Sequence, residues 1–152
     1  MALGHDATDP PSLAALASII RGDPFLHELG IEVVEVRQGY AKLKMPPSGK
    51  LLRHGGIING GALCSLIDAA GGTATATVNT GRNQVTVELK VNFLEPVSMV
   101  ETYCEAKVIR AGRNVVVCEM DLYDVSGKLC AKGTGTWMIL RYESFKQGNV
   151  GS

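Results

Sequence analysis

Along most of its length the chain alternates apolar and polar residues with a period of two, and one central stretch switches to helical spacing. Ile31-Glu32-Val33-Val34-Glu35-Val36 leads to Gln38-Gly39, and Tyr40-Ala41-Lys42-Leu43-Lys44-Met45 alternates strictly. That pattern predicts two strands joined by a tight turn, closed by Pro46-Pro47-Ser48-Gly49. Further on, 85–93, 100–109, 115–123 and 129–140 read as four strands. They are separated by Glu95-Pro96, Gly112 and Ser126-Gly127, spacings that suggest an antiparallel meander.

Helical signals come earlier and in the middle. Ser12 stands as an N-cap before Leu13 to Arg21, with Gly22 as the stop, and Asp23-Pro24 opens a second short turn that ends at Gly30. Asn59 to Val78 is the one candidate for a long helix. Asn59 is a good cap, and Leu63, Leu66, Ile67, Ala70, Ala74 and Val78 follow helical spacing. Its end, Thr73-Ala74-Thr75-Ala76-Thr77-Val78, is weak helix material and also fits a strand.

A hairpin, one long helix and four further strands make an α+β domain, with the helix across an antiparallel sheet of five or six strands. Residues 12–142 form a single domain in this reading, between polar tails at 1–11 and 143–152. One helix cannot cover both faces of such a sheet, so self-association is expected.

Composition narrows the function classes. A length of 152 residues with 45% hydrophobic and 20% charged residues fits one globular domain and excludes general disorder. Fifteen basic residues balance fifteen acidic ones, which argues against a nucleic-acid partner or an anionic membrane surface. Cys64, Cys104, Cys118 and Cys130 form no CxxC pair and have no His at metal-ligand spacing. No metal site is expected. With neither a secretory signal nor an apolar run of about 18 residues, a cytoplasmic protein with reduced thiols is expected.

The glycines are concentrated: Gly55-Gly56, Gly60-Gly61 and Gly71-Gly72 fall in one short stretch. On a helix turning about 100° per residue, Gly61 and Thr75 fall within about 20° of Asp68, Cys64 and Gly72 within about 40°, and Ser65 about 60° away. Leu63, Leu66, Ile67, Ala70 and Ala74 occupy the opposite half. Asp68 therefore stands on a stripe of small residues, where a plain surface helix would carry Lys, Glu, Gln or Arg. At the helix start, Arg53-His54-Gly55-Gly56-Ile57-Ile58-Asn59-Gly60-Gly61 places free N–H groups at a glycine-lined N-terminus, an end that attracts anions and developing oxyanions. A capped flexible loop is the plainer alternative. The pattern is neither a P-loop nor a dinucleotide fingerprint.

Asp23-Pro24-Phe25-Leu26, Leu29-Gly30-Ile31, the run from Gly56-Ile57-Ile58-Asn59-Gly60-Gly61-Ala62-Leu63 to Asp68, and Val91-Asn92-Phe93-Leu94-Glu95-Pro96 together resemble the hotdog-fold acyl-CoA thioesterases of the 4-hydroxybenzoyl-CoA thioesterase superfamily. The likeness spans roughly residues 23 to 140 and is strongest to the branch related to phenylacetate-pathway enzymes. It implies a hotdog fold with the long helix wrapped by the sheet, and hydrolysis of an aromatic or short- to medium-chain acyl-CoA without a cofactor, coenzyme A being part of the substrate. The family's helix carboxylate matches Asp68, its oxyanion-binding glycine matches Gly60, and its water-holding hydroxyl matches Thr86. Asn59 stands where relatives carry His, Arg53 where a polar residue is usual, and His54 one step from a position that some relatives fill with His.

The implied chemistry makes Asp68 a general base on water or a nucleophile, with the Gly60 N–H stabilising the oxyanion. Gly61, Ser65, Arg53, His54 and Arg113 are candidate substrate contacts, and Arg82, Arg110 and Arg113 near turns could meet coenzyme A phosphates. Asp68 lies about 12 Å along the helix from Gly60, so one helix cannot present both to one carbonyl. A homodimer with shared active sites resolves this, and the resemblance implies one, extended to a homotetramer. Cys64 has no base at helical spacing and reads as packing. A non-catalytic acyl-CoA sensor on the same fold is the alternative, and hydratase chemistry would want a helix His that is absent.

Overall fold

The computed structural model describes residues 11–79 and 83–140. The tail expected at 1–11 lies outside them except for Pro11, and the tail at 143–152 and Arg82 lie outside them altogether. Two short helices, α1 (Leu13–Gly22) and α2 (Pro24–Glu28), precede the hairpin β1 (Glu32–Arg37) and β2 (Tyr40–Met45). After a 3₁₀ turn, Gly49–Leu51, come the long helix α3 (Gly60–Ala76) and strands β3 (Gln84–Phe93), β4 (Thr102–Ala111), β5 (Val115–Asp124) and β6 (Leu129–Ile139). This is the hotdog architecture: a six-stranded antiparallel sheet around one long helix.

The caps form as the sequence predicts. Ser12 accepts from the Ala15 amide, Asp23 from the amides of Phe25 and Leu26, and Asn59 from that of Gly61. The ambiguous threonine run is helical to Ala76, because tertiary burial outweighs a weak propensity. Thr73 Oγ1 donates to the Ala69 carbonyl, and Thr77 Oγ1 donates to Ala74, so both hydroxyls are satisfied where they are buried.

The sheet is not a simple meander. Its order is β1-β2-β4-β5-β6-β3, so β4, β5 and β6 follow one another while β3 crosses to the far edge and pairs with β6. The eight-residue connection 94–101 spans the sheet, and its start is pinned where the Leu94 and Glu95 amides donate to the Cys130 carbonyl. Spacing along the chain could not show this, since pairing partners are set by which strands the helix separates.

The sheet curls round α3. Leu66, Ile67 and Ala70 are fully buried against Leu43, Cys104, Val116, Cys118 and Met120, each large side chain contributing roughly 1.5–3 kcal/mol of apolar burial. Gly71 and Gly135 make room for Trp137: a Cβ on either would lie 2.1 and 2.5 Å from the indole Cη2. The helix thus packs against β2, β3, β4, β5 and β6. Thr75, expected on the open stripe beside Asp68, is instead fully buried with its hydroxyl 3.5 Å from Cys118 Sγ.

Candidate active site

The segment leading into α3 is a built structure and not a flexible loop. Leu52 and Ile58 form an antiparallel bridge, the Arg53 amide donates to the Ile57 carbonyl, and Gly55 and Gly56 turn the chain with φ of 102° and 79°. Few other residues tolerate that backbone conformation. The Ile58 amide donates to Val97 and the Asn59 amide to Leu51, which fixes the entry angle of the helix. Of its first N–H groups, that of Gly61 is taken by Asn59 Oδ1 at 2.7 Å, and those of Ala62 and Leu63 by the Asn59 carbonyl. The Gly60 N–H, the first of the helix, has no acceptor among the described residues.

Gly60 opens on a cleft of about 290 Å³ shared with Arg53, Ile57, Leu63, Phe93 and Pro96. The Phe93 ring lies against it, 3.4 Å from where a Cβ would stand. Glycine here keeps the amide reachable beside an exposed aromatic ring.

Asp68 lies two turns further on, in a different cleft. Thr86 Oγ1 donates to Asp68 Oδ1 at 2.7 Å, from β3 to α3. A β-bulge makes this contact possible. Leu89, Val91 and Phe93 share one face of β3, and strict alternation would put Thr86 on the other. The register shifts between Thr86 and Glu88, with Thr86 opposite the buried Trp137 and Leu89 opposite the buried Gly135. The extra residue, Val87, changes the parity, so Thr86 and Gln84 turn toward the helix. Gln84 uses that orientation to donate to the Gly72 carbonyl at 2.6 Å.

The Asp68 cleft holds about 430 Å³ between α1 and α3. Leu16, Ile19 and Ile20 form one wall, Ala69, Gly72 and Ala76 the floor, and Gln84, Thr86 and Trp137 the other wall. Among the described residues, Asp23 and Asp68 are the charged ones lining it, and no cation does. Cys64, one turn before Asp68, is half-buried. Burial first, and the Asp68 charge second, push its thiol above the usual cysteine range, which favours the thiol over the thiolate.

Of the sequence candidates, the structure brings Asp68 and Thr86 together, and places Gly60 beside Arg53 in the other cleft. Asn59 is engaged as the helix cap. Gly61 supplies the capped amide, and Ser65 Oγ donates back to the Gly61 carbonyl at 2.9 Å. His54 is exposed on the turn, where its carbonyl accepts from the Arg53 guanidinium at 2.6 Å. Arg113 is exposed at the β4–β5 turn and lines neither cleft. The sequence reading missed Trp137, Gln84 and the α1 wall. Gly133-Thr134-Gly135, two glycines on one face of a strand, is the signal that something bulky approaches there.

Among the described residues no group of three or more His, Cys, Asp or Glu could hold a metal, and no helix is long and apolar enough to cross a membrane. All four cysteines are free thiols, with Cys104, Cys118 and Cys130 buried.

A long helix wrapped by a curled six-stranded antiparallel sheet is the hotdog architecture, and the comparisons agree with it. The family profile of the thioesterase superfamily matches residues 55–131. A protein of Saccharolobus solfataricus, provisionally named an esterase, is 41% identical over 121 residues, 80% of this chain and 86% of its own. Among solved structures, a conserved protein of Pseudomonas aeruginosa is 34% identical with a TM-score of 0.77, covering 82% of this chain and 99% of its own. A Haemophilus influenzae thioesterase at 22% identity and TM-score 0.82, covering 91% of this chain and 97% of its own, shares the fold. The chain belongs to the thioesterase superfamily.

Proposed function

We propose that the protein is an acyl-CoA thioesterase, close to the phenylacetate-related branch, that hydrolyses an aromatic or short- to medium-chain acyl-CoA to the free acid and coenzyme A. The observation that carries this is the Thr86–Asp68 hydrogen bond at 2.7 Å in a cleft separate from the open Gly60 amide. The Thr86 hydroxyl orients the carboxylate through Oδ1 and leaves Oδ2 to take a proton from water. The water oxygen then bonds to the thioester carbon, the carbonyl oxygen gathers negative charge at the Gly60 N–H, and the C–S bond breaks as the proton passes to the leaving thiolate. Direct attack by Asp68, through a mixed anhydride, is the variant of the same site.

The two clefts complement each other across two copies. β3 is an edge strand of ten residues that exposes Val87 (58%) and Phe93 (52%), a template for pairing with a second chain. In such a homodimer, with a tetramer as the further assembly, each Asp68 meets its partner's helix N-terminus. Arg53 beside Gly60 is then placed for the coenzyme A end of the substrate. No cofactor enters this scheme. Steady-state hydrolysis of an acyl-CoA panel by the wild type and by Asp68→Asn tests it. Turnover in the wild type that Asp68→Asn abolishes supports the reading, and acyl-CoA binding without turnover in the wild type replaces it with a sensor.

A further inference from the structure

Resting on the thioesterase reading, we propose that the cleft between α1 and α3 receives the acyl tail as an uncharged, apolar group, and that Gly72 sets how far the tail reaches. Its volume of about 430 Å³ lies within the range of small-ligand pockets. Asp68 stands on its rim, so a thioester attacked there has its acyl end inside. Apart from the Trp137 indole N–H, the polar side chains lining it already have protein partners. Asp23 Oδ1 caps α2, Thr73 donates to Ala69, Asn83 accepts from the Gln84 amide, and Gln84 is held between the Gly72 carbonyl and Asn79. A polar substituent on the tail would lose its water for little in return. A tail ending in a carboxylate would also face Asp23 and Asp68, with no cation lining the cleft among the described residues.

Gly72 sits one turn beyond Asp68 on the floor. A Cβ there would lie 3.4 Å from Trp137 Nε1 and 3.6 Å from Gln84 Nε2, so one methyl group fits and anything larger extends into the cleft. Its neighbour Gly71 meets the same indole from the core side and has no such tolerance.

Trp137 is the chain's single tryptophan and lines this cleft, so its emission reports occupancy whether or not hydrolysis occurs. Full-length Asp68→Asn is titrated with decanoyl-CoA, with coenzyme A alone, and with the acyl-CoA of equal length that ends in a carboxylate. The wild type, Gly72→Val and Ala76→Leu are assayed on acyl-CoAs from propionyl to dodecanoyl. Emission should shift with decanoyl-CoA alone. In both variants kcat/KM for decanoyl-CoA should fall by about tenfold or more while that for propionyl-CoA is retained. Ala76→Leu fills the far end of the floor and tests the point if Gly72→Val does not fold. Unchanged emission at saturating decanoyl-CoA, or a wild-type chain-length profile in a folded variant, overturns the chamber and leaves the thioesterase reading standing. An emission shift in a protein whose wild type hydrolyses nothing supports the chamber and removes the thioesterase reading instead.

Discussion

Thr86 and Asp68, eighteen residues apart, meet through a 2.7 Å hydrogen bond that exists because Val87 bulges out of β3. A hydrogen bond to a charged group is worth about 1.5–3 kcal/mol, roughly 10- to 100-fold in rate if it holds the reacting carboxylate. Thr86→Val should lower kcat by that factor with little change in KM, and Thr86→Ser should restore most of it. Steady-state kinetics on one acyl-CoA distinguishes this from a merely structural loss, which Ser would not repair.

The shared-site arrangement is tested by complementation. Asp68→Asn lacks the proposed base, and Gly60→Val pushes a side chain toward Phe93 over the proposed oxyanion amide. Each homodimer should keep less than about a tenth of wild-type activity. Random mixing of the two folded variants makes half the dimers mixed, each with one intact site, so about a quarter of wild-type activity should return. An inactive verified heterodimer would place base and oxyanion donor on one chain.

Gly71 and Gly72 are adjacent and should respond in opposite ways to alanine. A Cβ at Gly71 would stand 2.1 Å from the Trp137 ring, a clash inside a packed core. Overpacking of this kind costs about 1–3 kcal/mol or more. At Gly72 the methyl meets ordinary contacts, and the helix gains about 0.5–1 kcal/mol from losing a glycine. Thermal melts of the two variants should shift Tm down for Gly71→Ala and leave it level or raised for Gly72→Ala.

Cys64 should behave as a protonated spectator. Its raised pKa means less thiolate near neutrality than in an ordinary cysteine, so alkylation by iodoacetamide should be slow there and accelerate only above the usual thiol range. The sign follows from burial and the Asp68 charge, both of which favour the neutral thiol. Asp68→Asn removes the second cause and should speed alkylation at fixed pH, as mass spectrometry of the modified peptide would show. Cys64→Ala should stay active, and loss of turnover at unchanged Tm would reopen a thiol mechanism.

Asn59 should act through the helix cap. Asn59→Ala removes the acceptor for the Gly61 amide at 2.7 Å and should cost about 1 kcal/mol of stability. Asn59→Asp and Asn59→Ser keep an acceptor and should recover both Tm and activity. Activity lost in those capped variants would give the amide a direct part in the chemistry.

The local elements were legible in the residues because their causes are local. Ser12, Asp23 and Asn59 cap the helices they precede, and the strict alternation of Tyr40 to Met45 makes a strand. The small-residue surroundings of Asp68 and the glycine-lined start of α3 singled out both halves of the candidate site, and the resemblance supplied Thr86. What the tertiary structure decided was everything that depends on pairing. Period-two alternation counts along one strand and cannot see that an extra residue, Val87, turns Thr86 to the helix side. Helical projection gives angles around α3 but not how far the sheet wraps it, so Thr75 was placed on an open stripe when it is buried against Cys118. The crossing of β3 to the far edge, and the meeting of α1, Gly72 and Trp137 around one cleft, arise from contacts between segments distant in the chain, whose energies no single segment carries.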